Sequence, residues 1–217
     1  MDQHLKLFIP GPGDVDEAIL AAAARPILRH YGPEWMEIYN ELQALLKQVF
    51  KTQNDVFLVP GPASALHDMA IGSLLRTGQK IIVGHNGFFG ERLVAIAEAY
   101  GLTVVPFAAS LGRPLEPDKL RRLLIENPDA PVVALVHHEP ATTVLNPLRA
   151  LAEEVRAAGR VIVVDAVSSL GGVELPVDDW GIDICVTASN KCLEALPGVG
   201  IVSVGRRAWE LVDRQPG

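Results

Sequence analysis

Two residues in the second half of the chain have the types and the surroundings that amine chemistry needs. The run 161–165 (VIVVD) is apolar and ends in the carboxylate of Asp165, and the segment 182–191 (IDICVTASNK) ends in Lys191. Each has the pattern of a buried strand that delivers a polar residue to its end. A lysine amine can form a Schiff base with pyridoxal phosphate, and an aspartate can hold that cofactor's pyridine nitrogen protonated. The pair therefore predicts a pyridoxal phosphate site with Lys191 as its catalytic residue.

Both residues also have ordinary structural interpretations, which the local pattern leaves open. Lys191 could be a surface lysine in a loop, and short motifs of this kind match by chance. Asp165 could cap the turn that follows a strand, as aspartate side chains often do. Capping alone does not explain why a five-residue apolar run should deliver Asp165 to the edge of a sheet.

The elements that would position these residues alternate along the chain. Seven apolar runs rich in β-branched residues have the pattern of strands buried on both faces, at 56–59, 80–84, 103–107, 131–137, 160–165, 182–187 and 200–204. Helical patterns accompany them at about 33–51, 64–76, 88–99, 116–125, 146–158 and 206–214. The alternation predicts an α/β fold, a mostly parallel seven-stranded sheet with helices on both faces. Ligands in such sheets bind at the carboxyl ends of strands, where Asp165 and the segment after Val59 lie.

Composition narrows the classes of function. The chain has 217 residues, of which 49% are hydrophobic and 21% charged, and its net charge is −7. These values favour a globular domain with a large core, and the lack of a basic stripe argues against a nucleic-acid partner. No apolar run is long enough for a membrane span, and the N-terminus lacks a signal-peptide pattern. Cys185 and Cys192 fit no metal or redox spacing, which predicts a reduced, cytoplasmic setting.

Six segments together resemble a known family. They are PGPGDVDEAIL from Pro10, RPILRHYGPEWMEIYNELQALLKQVFKT (25–52), GHNGFFGERLVAIAEAYG (84–101), HHEPATTVLNPL (137–148), VDAVSSLGGVELPVDDWGID (164–183) and TASNKCLEALPGVG (187–200). In order and spacing the chain resembles the class V aminotransferases of pyridoxal phosphate fold type I, in the alanine–glyoxylate and serine–pyruvate aminotransferase group. The resemblance implies transamination between a small amino acid (alanine or serine) and a 2-oxo acid (glyoxylate or pyruvate). It also implies a homodimer.

The resemblance assigns roles around the cofactor ring. Phe89 corresponds to the aromatic residue that stacks on the ring, and Val167 packs on the opposite face. Thr142 places a hydroxyl near the ring oxygen. Ser189 is expected to bind the phosphate, and Asn190 stands where the family often has a longer glutamine.

The turn 61–64, GPAS, stands where the family's phosphate-binding turn usually reads Gly-Ser-Gly-Thr. The resemblance implies phosphate contacts from the Ala63 N–H and the Ser64 hydroxyl, because free N–H groups at a helix start bind anions. Pro62 removes one backbone donor, and Ala63 resists a positive φ. We therefore expect a weaker or rearranged phosphate site.

The segment His137–His138–Glu139 could suggest a metal site. The chain has neither the helical spacing nor a second ligand cluster that would support one, so no metal is predicted. A strand end that enters the cofactor loop is the simpler interpretation, and Trp180 is expected to be a packing residue.

The resemblance implies a longer protein than these 217 residues. Residues 1–15 would form an N-terminal segment, and residues 16–217 a large domain that is incomplete at its C-terminus. The family's small C-terminal domain, with the arginine that binds the substrate carboxylate, would be absent.

Two alternatives remain open. One is a lyase or desulfurase of the same fold, which Asn190 and Phe89 disfavour because those relatives carry histidines at both positions. The other is a truncated chain without catalytic competence that acts only as a dimer or partner module.

Overall fold

The computed structural model describes residues 6–215, so the first five residues of the predicted N-terminal segment and the last two of the predicted large domain lie outside the described residues. The helices are α1 Glu17–Ala23, α2 Pro33–Phe50, α3 Ala63–Leu74, α4 Phe88–Ala99, α5 Pro117–Glu126, α6 Leu148–Ala157 and α7 Arg206–Asp213. The strands are β1 Asp55–Pro60, β2 Lys80–His85, β3 Thr103–Ala108, β4 Val132–Val136, β5 His138–Glu139, β6 Val144–Leu145, β7 Val161–Asp165, β8 Ile184–Ala188 and β9 Val199–Val204. No described helix is long and apolar enough to cross a membrane.

Seven of the strands form one mostly parallel sheet, as the sequence predicts. Their order is β1-β9-β8-β7-β4-β2-β3, and β5 pairs separately with β6. Strand β9 runs antiparallel to both of its neighbours, while the pairs from β8 to β3 are parallel. The carboxyl ends of β7 and β8 therefore lie side by side at one edge of the sheet.

Helices cover both faces of the sheet, which explains why its central strands read as continuous apolar runs. Strand β7 sends Ile162 and Val164 into one core with α2, α5 and α6. Its alternate residues Val161 and Val163 enter a second core with α3, α4 and α7. Because side chains alternate along a strand, two buried faces require an apolar residue at every position.

The predicted helices and strands of the main sheet are confirmed, with differences of one or two residues at most of their ends. Helix α2 ends one residue early because Lys51 adopts a left-handed conformation with φ of 50°. Helix α6 begins at Leu148, directly after Pro147. Two features had not been predicted, namely the short helix α1 and the β5–β6 hairpin.

Candidate functional site

A cavity of about 190 Å³ opens where β7 and β8 end. The sheet supplies one wall of the cavity, and the N-terminal turns of α3 and α4 supply others. Seven of the nine residues predicted for the site line this cavity: Ala63, Ser64, Phe89, Asp165, Val167, Asn190 and Lys191. Residues up to about 130 positions apart in sequence thus meet in one place.

Asp165 is the last residue of β7, and its side chain is almost completely buried. Its Oδ1 accepts a hydrogen bond of 2.9 Å from the Val167 N–H, so one carboxylate oxygen is fixed by its own turn. This is the capping arrangement that the sequence left open. It does not exclude a ligand role, because Asp165 still lines the cavity and its Oδ2 lies 3.4 Å from Nε2 of His67.

Lys191 lies in the turn that follows β8 and is half-buried. The described part of the N-terminal segment, residues 6–15, passes close to its side chain, with Gly11 at the point of contact. A Cβ on Gly11 would lie 2.7 Å from Lys191 Cδ and 2.8 Å from Nζ, and Gly11 has a φ of +132°. The backbone conformation therefore favours glycine at this position, and a side chain there would displace the flexible end of Lys191. The segment covers one side of the lysine.

Glu139 holds the start of α4 in place. Its side chain is completely buried, and Oε2 accepts hydrogen bonds from the N–H groups of Phe89 (2.9 Å) and Gly90 (3.1 Å). Oε1 accepts a third from the Ala141 N–H at 3.1 Å. A carboxylate at a helix N-terminus satisfies free donors and interacts favourably with the helix dipole. Glu139 thereby fixes the aromatic residue that the sequence assigned to the ring face.

The GPAS turn differs from the sequence-based expectation in one respect. Ala63 is the first residue of α3 and has a helical conformation, so the expected conflict with a positive φ does not arise. Gly61 takes the positive φ instead, at 140°, and its N–H donates to the Gly198 carbonyl. Among the described residues, no side chain caps this helix start. Ala63 and Ser64, the first two residues of α3, line the cavity.

Two predicted ligands are not among the described residues that line the cavity. The Ser189 hydroxyl donates to the Leu196 carbonyl at 2.6 Å, within the loop that connects β8 to β9. The Thr142 hydroxyl donates to the Asn86 carbonyl at 3.2 Å. Both side chains brace the loops that border the cavity, and their predicted cofactor contacts stay predictions.

The histidine pair before Glu139 does not form a metal centre. The Nδ1 of His137 lies 3.0 Å from the Ser169 hydroxyl oxygen, and its ring packs edge-on against Trp180. Burial and, to a lesser extent, the neighbouring His138 lower the pKa of His137 to about 4. Within residues 6–215, no group of three or more His, Cys, Asp or Glu side chains could hold a metal ion.

Nine further residues line the cavity although they are not among the predicted site residues: Pro62, His67, Arg92, Leu93, Val136, His138, Pro140, Ser168 and Ala188. Helical spacing could have identified two of them. His67 follows Ser64 by three positions on α3, and Arg92 follows Phe89 by three on α4, so each pair shares a helix face. His138 and Pro140 flank the buried Glu139.

The chain matches known proteins over nearly its whole length. A model of the family described as aminotransferase class-V matches residues 18–215. An uncharacterized aminotransferase of Methanocaldococcus jannaschii is 37% identical over 208 residues, which are 96% of this chain and 54% of that protein. The 42 kDa subunit of a soluble hydrogenase from Anabaena cylindrica is 38% identical over 97% of this chain and 56% of its own length. The chain spans about half the length of the curated relatives that it matches.

The fold has close counterparts among solved structures. A crystal structure of alanine–glyoxylate aminotransferase from a Nostoc species superposes with a TM-score of 0.92 at 30% identity. The superposition covers 100% of this chain and 60% of that one. The predicted fold, the large domain of fold type I pyridoxal phosphate enzymes, is confirmed.

The capping role of Glu139 predicts a stability effect. Replacing Glu139 by Gln should lower the free energy of unfolding by about 2 kcal/mol, because a neutral amide has one acceptor oxygen for three N–H groups. The matched control is Glu153→Gln, which removes an exposed ion pair with Arg149 and should change stability by less than about 0.5 kcal/mol. Urea unfolding followed by circular dichroism measures both. Equal effects of the two changes would contradict the assigned role.

Proposed function

The chain belongs to the class-V aminotransferase family, and from that premise we propose that it carries out transamination with pyridoxal phosphate. The amino donor is a small amino acid such as alanine or serine, and the acceptor is a 2-oxo acid such as glyoxylate or pyruvate. The proposal rests chiefly on one observation: Lys191, Asp165 and Phe89 line a single cavity. The name of the Nostoc relative, an alanine–glyoxylate aminotransferase, supports the choice of substrates.

The described residues fit the cofactor of this family. The cavity combines an amine, a buried carboxylate and an aromatic side chain. It also contains an orphaned polar atom, the buried Nε2 of His67, which has no hydrogen-bond partner among the described residues. Bound pyridoxal phosphate supplies an aldehyde that condenses with primary amines and a ring that withdraws electrons from the attached amino acid.

Each lining residue would then act according to its position. Asp165 would hold a proton on the ring nitrogen, while Phe89 and Val167 would enclose the ring from its two faces. Lys191 Nζ would bind the aldehyde and, once released, carry the proton at the substrate Cα as general acid and base. Asn190 would border the ring beside the lysine.

The phosphate would bind at the start of α3. The Ala63 and Ser64 N–H groups and the Ser64 hydroxyl provide donors there, and the helix dipole favours a negative charge. Pro62 contributes no N–H, so this phosphate site would have one backbone donor fewer than a turn without proline.

We further propose that the chain acts as a homodimer in the cytoplasm. The region 7–45 exposes many large apolar side chains, including Phe8 at 89% and Ile27 at 100%. Apolar surface of this extent is typical of a protein–protein interface. Both cysteines, Cys185 and Cys192, are free thiols, which is in keeping with a reducing compartment.

Lys191 is the residue whose removal should be decisive. After incubation with pyridoxal phosphate and reduction by borohydride, the cofactor should be linked covalently to the peptide that contains Lys191, and Lys191→Ala should abolish the adduct. Lys80→Ala removes an exposed lysine that pairs with Asp129, so it should leave the adduct intact. An adduct of equal yield in Lys191→Ala would refute the assignment.

The same preparation tests turnover. Supplied with alanine and glyoxylate, the cofactor-loaded chain should form pyruvate and glycine in equal amounts. A chain that carries the adduct but forms neither product would favour the non-catalytic alternative.

Gly11 and Gly13 offer a matched pair for the segment above Lys191. Gly11→Ala should slow adduct formation about tenfold, because the new methyl group displaces the lysine and the backbone is strained at a positive φ. Gly13→Ala places its methyl group where no described atom lies within 4 Å and should have no effect. Timed borohydride quenching measures both rates, and equal rates would show that the segment does not control the lysine.

The proposed dimer predicts a twofold mass in sedimentation equilibrium. The double change Phe8→Ser and Ile27→Ser should shift the chain toward monomer, because it removes two highly exposed apolar side chains from the proposed interface. Leu111→Ser changes another exposed apolar residue, outside region 7–45, and should leave the mass unchanged. A monomeric parent chain would contradict the dimer.

A further inference from the structure

His67 lines the cavity next to Asp165. It is on α3, one turn after Ser64, and its Nε2 is 3.4 Å from Oδ2 of Asp165. The two side chains are only 5% and 6% exposed. The histidine therefore faces the carboxylate that the proposed function assigns to the cofactor's ring nitrogen.

The contact is close but is not a hydrogen bond as it stands. Nε2 is within reach of Oδ2, yet its alignment leaves it without a partner among residues 6–215. A buried polar atom without a partner is costly, and such an atom in a native structure needs an explanation. A small rotation of the carboxylate or of the ring would bring the two atoms into line.

The charge of His67 decides what this contact can do. Burial lowers the pKa of His67, and this effect outweighs the attraction of Asp165, which acts in the opposite direction. The positive charge of Arg92 also lowers the pKa. The ring is therefore neutral near pH 7, and the pair is a neutral donor beside a carboxylate rather than an ion pair.

Only Oδ1 of the Asp165 carboxylate is held by a hydrogen bond from the backbone, so the direction of Oδ2 must be set by another group. Its Oδ1 already accepts the Val167 N–H, so the carboxylate can turn only about a fixed point. A neutral donor on Oδ2 would fix the second oxygen without cancelling the negative charge. A protonated histidine would compete with a cationic ligand for that charge.

We propose that His67 is a positioning residue for the cofactor, which donates its Nε2–H to Oδ2 of Asp165 and holds that carboxylate, still charged, toward the ring nitrogen. This inference rests on the proposed function, because it gives His67 a role only through the Asp165–cofactor contact. It also accounts for the orphaned Nε2, which gains its partner when a ligand aligns the carboxylate.

Two substitutions separate this role from simple space filling. His67→Leu fills the space without a donor, whereas His67→Gln places an amide N–H close to the position of Nε2. The dissociation constant for pyridoxal phosphate should rise about tenfold or more in His67→Leu, as expected for loss of a hydrogen bond to a charged group. In His67→Gln it should stay within about threefold of the parent value.

Binding of a cofactor analogue distinguishes a positioning role of His67 from a purely structural one. With pyridoxal phosphate whose ring nitrogen is replaced by carbon, His67→Leu and the parent chain should bind equally well, because Asp165 then has nothing to pair with. An equal loss for both ligands, or an equal loss in His67→Leu and His67→Gln, would overturn the proposal.

The tautomer of His67 is a second and independent measurement. Nitrogen-15 NMR of the labelled chain at pH 7 should show that the His67 ring is neutral and carries its proton on Nε2. The His67 signal is assigned as the one that is missing in His67→Gln. A proton on Nδ1 alone, or a charged ring, would exclude the proposed donor even if the Leu variant failed to fold. A parent chain that binds no pyridoxal phosphate would contradict the proposed function itself, whereas the tautomer would still test the contact.

Discussion

The parallel pairing of β7 with β8 is the constraint on which the site depends. Val163, Val164 and Asp165 pair with Ile184, Cys185 and Val186, so the two strands end beside each other. Asp165 is the last residue of one strand, and Lys191 follows the other after a short turn. Two hydrophobic cores, one on each face of the sheet, bury these strands and hold their ends in place. A one-residue slip of this register would turn Asp165 away from the cavity.

Two buried carboxylates organise the loops at the carboxyl edge of the sheet. Glu139 and Asp165 are both almost completely buried, and each is held by backbone N–H groups instead of by a lysine or arginine. Donors of this kind orient a carboxylate without neutralising it. The two carboxylates nevertheless have different roles. Both oxygens of Glu139 accept hydrogen bonds from its own loop and from the start of α4, whereas Oδ2 of Asp165 lies 3.4 Å from Nε2 of His67.

Much of this arrangement could be predicted from sequence because it depends on local pattern and topology. The apolar runs located the seven strands, and parallel connection brought Asp165 and Lys191 to one edge. The capping by Glu139 and the hydrogen bond of Ser189 to Leu196 could not be predicted, because loop contacts leave no periodic signal. The same holds for the two-residue strands β5 and β6. Helical spacing could have placed His67 on the face of Ser64, but only the folded chain shows that Asp165 lies beside it.

The contact between Gly87 and Glu139 has a consequence for the evolution of such chains. Gly87 has a φ of 171°, an extended conformation open to any residue, so it must be glycine for reasons of space. A Cβ there would lie 2.4 Å from Cγ of Glu139. The two positions should therefore covary among homologues: a side chain at 87 requires a shorter residue at 139, and a glutamate at 139 selects glycine at 87.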